Sequence, residues 1–381
     1  MRSRNTRLTL GATGSIAALA LALMPLGVVA QDASAATTGD VTATIVLGGT
    51  TTITGTGATA TDDGVDITAG GTYQVSGTIA DGMLHVDAGD AAVTLVLDGA
   101  SITNADGPAI YVEAASEVTV LTTAGTTSVL TDGGASEQDA ALYSVPTVTL
   151  GGEGTLVVDA TYEGISSTVD IVVEGGIVRV VAGEDGLNAN EDGVSDITIS
   201  GGSLYVQTDT GDGIDSNGTI HITGGDIVSY GGLDDANSGL DADGEITITG
   251  GTLVATGSMM GMPGDSSTQE SVYVSFGGTQ AAGTLVSIQS DGTEVLTIAP
   301  VVDFQTLLYS APDLADGVTY DVYTGGSSTS ASADGVYELG GYTPGTAFGT
   351  TTTELPTGGM GGFGGGQAGG PGDQPSASAA P

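Results

Sequence analysis

"GDGIDSNGTIHITGGDIVSY", residues 211–230, carries two patterns in one span, and its second half decides the fold. Ile220 and Ile222 stand two apart, the pair Gly224-Gly225 follows, and Ile227 comes two residues after the pair. Alternation with period two marks a strand with one buried face, and glycine between two short strands marks a corner. The unit recurs as "DIVVEGGIVRV" (170–180), "DITISGGSLYV" (196–206) and "EITITGGTLVA" (245–255). Aligned on the glycine pairs, Ile171, Ile197, Ile220 and Ile246 share one column, and Val173, Ile199, Ile222 and Ile248 a second. Val178, Leu204, Ile227 and Leu253 make a third. The return from Gly175 to Gly201, Gly224 and Gly250 suits one coil of a parallel β-helix with three short strands per coil. Equivalent side chains then stack in ladders roughly 4.8 Å apart. A propeller blade would need about 40 residues, and a β-sandwich would not explain registered columns.

The first half of the quoted stretch is an acid, a glycine, an aliphatic and a second acid: Asp212-Gly213-Ile214-Asp215. It echoes Asp185-Gly186-Leu187-Asn188 one coil earlier and Ser238-Gly239-Leu240-Asp241 one coil later, with Glu163-Gly164-Ile165-Ser166 before them. The aliphatic points inward and glycine permits a tight corner. Stacking then places Asn188, Asp215 and Asp241 in one column, and Glu163, Asp185, Asp212 and Ser238 in another. Like charges one rung apart repel. Calcium, which takes six to eight oxygens at roughly 2.3–2.6 Å, would offset them. Asp185, Asn188, Asn190, Asp192, Asp212, Asp215, Asp241 and Asp243 are the candidate ligands. The competing reading is that Asp and Asn serve here as ordinary turn residues beside glycine.

Composition points the same way. The 381 residues include 46 Asp and Glu against 4 Lys and Arg, a net charge of −42. There is no Lys, and Arg179 is the only Arg beyond residue 7. Nucleic acid and anionic membranes are thereby excluded as partners, since both need cationic side chains. Divalent cations or general solubility are favoured instead. The absence of Cys excludes disulfides and a lipoprotein anchor. His85 and His221 lack the neighbours that zinc needs. A basic start (Arg2, Arg4, Arg7), an apolar run over 16–29 and small-residue motifs ending at Ala30 and Ala35 read as a secretory signal, hence a secreted or loosely surface-associated protein.

Weaker copies of the repeat run back through "VTLVLDGASITNADGPAIYV" (93–112). From 271 to 326 alternation persists with altered spacing, which predicts a β-rich cap over an exposed solenoid end. The expected organisation is a signal over 1–35, a parallel β-helix over 36–270, a β-rich C-terminal extension over 271–345 and a flexible Gly/Pro/Ser-rich tail over 346–381.

The stretches "GTIADGMLHVDAGDAAVTLVLDGASITNADGPAIYV", "DAALYS", "YEGISSTVDIVVEGG", "GEDGLNANE", "GDGIDSNGTIHITGG" and "SGLDADGEITITGG" resemble a family of secreted bacterial carbohydrate-binding β-helix proteins. "GGTQAAGTLVSI" and "YDVYTGG" continue the likeness. The resemblance implies an all-β, right-handed parallel β-helix of the pectate-lyase type, calcium binding, and attachment to acidic polysaccharides such as polygalacturonate without catalysis. Relatives often carry Ser-Lys-Asp where this chain has Ser144-Val145-Pro146 and Ser166-Ser167-Thr168, so here binding would lean on bridging calcium.

The expected function is therefore calcium-mediated binding of an acidic polysaccharide. Arg179 and Tyr205 share a column and are expected to face outward on adjacent rungs, the cation for a uronate carboxylate and the ring for a sugar face. The alternatives are a calcium-dependent polysaccharide lyase, for which Arg179 would be the one available base, and a structural or adhesive solenoid.

Overall fold

The computed structural model describes residues 40–134, 136–233, 237–329 and 334–354. The expected signal, and the tail from residue 355, lie outside them. Every regular element is a strand. Three strands per coil stack into a parallel solenoid of about eight turns. One coil shows the plan: Ile214–Ser216, Thr219–Ile222 and Asp226–Tyr230 lie on three successive faces, called here the first, second and third.

The inward columns follow the sequence pattern. On the first face Val65, Leu84, Ile110, Leu142, Ile165, Leu187, Ile214 and Leu240 are in register from rung to rung, all buried. On the second face the two aliphatic columns read from the glycine pairs pair as expected, Ile171↔Ile197↔Ile220↔Ile246 among them. Each such side chain contributes about 1.5–3 kcal/mol by leaving water, and the columns merge into one continuous core.

The glycines divide into two kinds. The second glycine of each pair has a positive φ, 78° at Gly176 and 81° at Gly202, which only glycine adopts without strain. The glycine of the acid-Gly-aliphatic element is needed for a different reason. A Cβ on Gly186 would lie 2.1 Å from a Val206 methyl, and one on Gly213 would lie 2.0 Å from Ser229 Oγ. These glycines mark where the first-face corner packs against the third face, a matter of space rather than of dihedral freedom.

Both ends of the solenoid are paired. Val41–Leu47 adds in parallel to Gly71–Ile79 and is itself covered by the antiparallel strand Thr52–Gly55. At the other end Phe304–Ser310 runs antiparallel to Thr252–Gly257 and also pairs Ser271–Gln280. A four-stranded sheet follows: Thr293–Ile298, Val286–Ser290, Thr319–Thr324 and Thr346–Thr352. A second core, with Val254, Val272, Phe276, Phe304 and Tyr309, lies between this region and the last rung. The strand Thr346–Thr352 falls within the stretch expected to be flexible tail; it is paired to Thr319–Thr324, and Phe348 packs on Phe276 of Ser271–Gln280 with ring centroids 5.0 Å apart. Among the described residues no helix is long and apolar enough to cross a membrane.

Candidate functional site

The first face carries the chemistry. Its outward residues form one column: Asp66, His85, Tyr111, Tyr143, Ser166, Asn188, Asp215 and Asp241. The corner entering this face carries the second column, Glu163, Asp185, Asp212 and Ser238. Backbone bonds fix its register: Gly164 N donates to Asp185 O (2.8 Å), Gly186 N to Asp212 O (3.0 Å) and Gly213 N to Ser238 O (2.8 Å).

The two columns meet around Asn188. Its Nδ2 donates to Glu163 Oε1 at 2.6 Å and to Asp185 Oδ2 at 3.1 Å. Asp185 Oδ1 accepts from Asp212 N at 2.7 Å, and Asp212 Oδ1 accepts from Ser238 N at 2.5 Å, so each carboxylate braces the next rung. Glu163 and Asn188 are 6% and 5% exposed. Yet Glu163 Oε2 and Asn188 Oδ1 have no hydrogen-bond partner. Beside Glu163 only the Ser166 hydroxyl acts as a further donor, lowering its pKa less than burial raises it, and buried acceptors so poorly paired cost free energy unless a cation or proton reaches them.

The electrostatics agree. Burial, then repulsion from Asp139 and Asp185, pushes the Glu163 carboxyl up to about 8. Burial pushes Asp185 up to about 7. Burial, with repulsion from Asp185 and Asp241, pushes Asp212 up to about 8. Asp215 is held well above the usual carboxylate range by burial and by Asp185, Asp212, Asp241 and Glu163.

Of the eight candidate ligands, Asp185, Asn188, Asp212, Asp215 and Asp241 gather here. Asn190, Asp192 and Asp243 are exposed beyond the strand, where Asn190 Nδ2 donates to Ser166 Oγ (3.1 Å) and Asp192 accepts from Asn217 at 3.5 Å. Among the described residues no three or more His, Asp or Glu side chains already converge as a metal cage. The donor set is nonetheless all oxygen, with two orphaned acceptors at its centre, and fits a hard cation. Glu163, which the sequence shows only as a column member, belongs to this cluster, and so does Asp139, which no repeat marks and whose carbonyl accepts from Glu163 N at 2.9 Å. Aligning "MLHVD", "AIYVE", "ALYSV" and "EGISS" on their inward aliphatics would also have exposed the aromatic part of the outward column.

Arg179 and Tyr205 do pair on adjacent rungs, on the third face. The guanidinium carbon lies 4.2 Å from the ring centroid. Both are engaged within the fold, and the Tyr205 ring does not face outward. Arg179 Nη1 is 2.8 Å from Asp334 Oδ1. Tyr205 is 6% exposed, its ring set edge-on to Tyr230 at 5.9 Å. Tyr230 in turn donates from its hydroxyl to Asp334 O at 2.7 Å. The C-terminal region thus covers both residues.

Over residues 61–299 the chain matches a family described as carbohydrate-binding domain-containing protein. The match takes in more than half of the sequence and all the solenoid's first-face ladder, and the chain belongs to that family. Among solved structures it is similar to one titled the polysaccharide lyase-like protein from C. thermocellum, gadolinium derivative, at 30% identity and a TM-score of 0.47, over 56% of this chain and 94% of that one. A comparison with curated proteins finds no match.

Proposed function

We propose that this chain binds acidic polysaccharide of the polygalacturonate type without cleaving it, outside the cell, through calcium held on the first face. Family membership supports binding to carbohydrate; the ladder supports the cation. The observation that carries the reading is the pair of orphaned, buried acceptors, Glu163 Oε2 and Asn188 Oδ1, set among carboxyls raised by burial and then by one another's charge. Glu163, Asp185, Asn188, Asp212 and Asp215 would hold the ion, with Asp241 at the open end. A bound calcium supplies open coordination positions that accept uronate oxygens, joining two polyanions that otherwise repel.

The lyase reading is the weaker one. A lyase needs a base near the ion. Arg179 sits on another face, where its guanidinium is held by Asp334. The test is retention on immobilised polygalacturonate with calcium and then with excess chelator, following unsaturated product by absorbance. Retention lost on chelation without product is expected. Rising absorbance would replace the reading with a lyase, and no retention in either condition would remove the acidic-glycan assignment.

A further inference from the structure

The four-stranded C-terminal sheet holds a buried amide that the fold barely uses. Along Val286–Ser290 the side chains alternate: Val286 and Ile288 enter the second core, and Ser287 and Gln289 face the other way. On that side the polar groups of the neighbouring strand are paired. Ser287 Oγ lies 3.0 Å from Thr297 Oγ1, which donates to Glu294 Oε1 at 2.9 Å. Gln289 is left out. It is 5% exposed, and among the described residues no donor reaches its Oε1. Its Nε2 has one contact, 3.5 Å from Ser287 Oγ, beyond the ordinary range for N–H···O. Burying an amide so poorly paired costs free energy.

Gln289 lines a groove of about 600 Å³, together with Thr293, Glu294, Leu339, Tyr342 and Pro344. The volume falls in the range of small-ligand sites. The walls are held in place before any ligand arrives. Glu294 accepts from Gly340 N and, at 3.1 Å, from Tyr342 N. The Tyr342 hydroxyl donates to Gly325 O at 2.8 Å and accepts from Gly345 N at 3.2 Å. The hairpin turn beside Thr293 is tight, with Asp291 at φ 48° and Gly292 at φ 77°.

The lining narrows the chemistry of the ligand. Glu294 lines the groove and no cationic side chain does, so an anion, a uronate included, would be repelled. The Glu294 carboxylate already accepts from Thr297, Gly340 and Tyr342, which leaves a metal ion little to bind. A purely apolar molecule would leave the Gln289 amide without partners. A neutral sugar unit meets each demand. Two adjacent hydroxyls match the acceptor and the donors of one amide, and the C–H faces pack on Pro344 and on Leu339, which is 50% exposed at the rim.

We infer that the Gln289 groove is a glycan subsite for neutral sugar units, separate from the first-face ladder and working without a cation. Leu339, Tyr342 and Pro344 lie beyond residue 299, where the family match ends, so family membership does not assign it. The inference does not rest on the calcium reading.

The experiment is affinity electrophoresis of the full chain in chelator, through gels holding neutral galactan, xyloglucan, galactomannan or hydroxyethylcellulose. Retardation of the wild type in at least one gel is expected. Gln289→Met keeps the length of the side chain and removes the amide, and should weaken the apparent affinity at least about tenfold. Leu339→Ala should weaken it less. Urea unfolding of Gln289→Met should give the wild-type midpoint or a higher one, so that lost retardation reports a lost contact rather than a lost fold. Calcium-dependent retention on polygalacturonate should survive in both variants, so failure here and failure of the calcium reading are told apart. Overturning results are no retardation of the wild type in any gel, or retardation that folded Gln289→Met leaves unchanged; if circular dichroism shows that Gln289→Met does not fold, the rim variant Leu339→Ala decides in its place.

Discussion

At the scale of single residues, Glu163 shows what a stacked acid costs. Its carboxyl is buried with one oxygen unpartnered, beside an amide oxygen that also lacks a donor. Glu163→Gln replaces an acceptor by an N–H at that place and removes a charge. Thermal unfolding in chelator at pH 8 should show the variant more stable than the wild type, by roughly 1–3 kcal/mol. In calcium the order should reverse, because a ligand has gone. A variant less stable in chelator would mean that Glu163 is satisfied by something within the fold. The pH dependence follows from the same burial and, after it, the same crowding. Glu163, Asp185 and Asp212, raised to about 8, 7 and 8, keep their protons in the folded chain while the unfolded chain has already released them. The folded state then binds more protons from about pH 4 upward, so stability falls as pH rises through 7–8. Without calcium the melting temperature should be highest near pH 4 and fall steadily up to about pH 8; calcium should flatten that drop. A melting temperature rising from pH 5 to 8 in chelator would contradict the assignment.

At the scale of the strand and corner, the glycines of the acid element are spacers between two faces. Gly213→Ala places a methyl 2.0 Å from Ser229 Oγ and 2.8 Å from Gly239 O, and should cost about 1–3 kcal/mol or more, read by urea unfolding. Gly193→Ala meets no atom within 4 Å but sits at φ 66°, and should cost only about 1 kcal/mol. Equal costs would mean that corner packing is looser than the columns imply. This contrast also marks what the sequence shows at this scale. The repeat from 170 onward is legible because each coil has the same glycine pair and the same aliphatic spacing. The aromatic column is not, because the early rungs depart from that spacing, with one long strand, Val93–Asn104, spanning two faces. The purpose of the corner glycines is hidden for a related reason: the clashing partners, Val206 and Ser229, lie on the third face, 16 to 20 residues further along the chain.

At the scale of the whole molecule, the third face is closed by the C-terminal region and the first face is left open. Arg179 was readable as the last cation of the chain, but its partner was not. Asp334 belongs to a segment with no repeat, and only the fold brings it over Arg179 and Tyr230. Arg179→Ala should therefore lower the stability of the chain by roughly 1–2 kcal/mol and leave calcium-dependent glycan retention unchanged. Loss of retention in a folded variant would move the glycan site to the third face. The first-face acids were legible as columns; the orphaned acceptors that make them more than turn residues appear only once Asn188 is seen bridging Glu163 and Asp185. The measurement that tests this most directly is a calorimetric calcium titration of the full chain at pH 7, set against Glu163→Gln/Asp185→Asn/Asp215→Asn. Saturable binding in the wild type that disappears in the folded triple variant is the predicted result; no saturable binding, or the same isotherm in both, would contradict it.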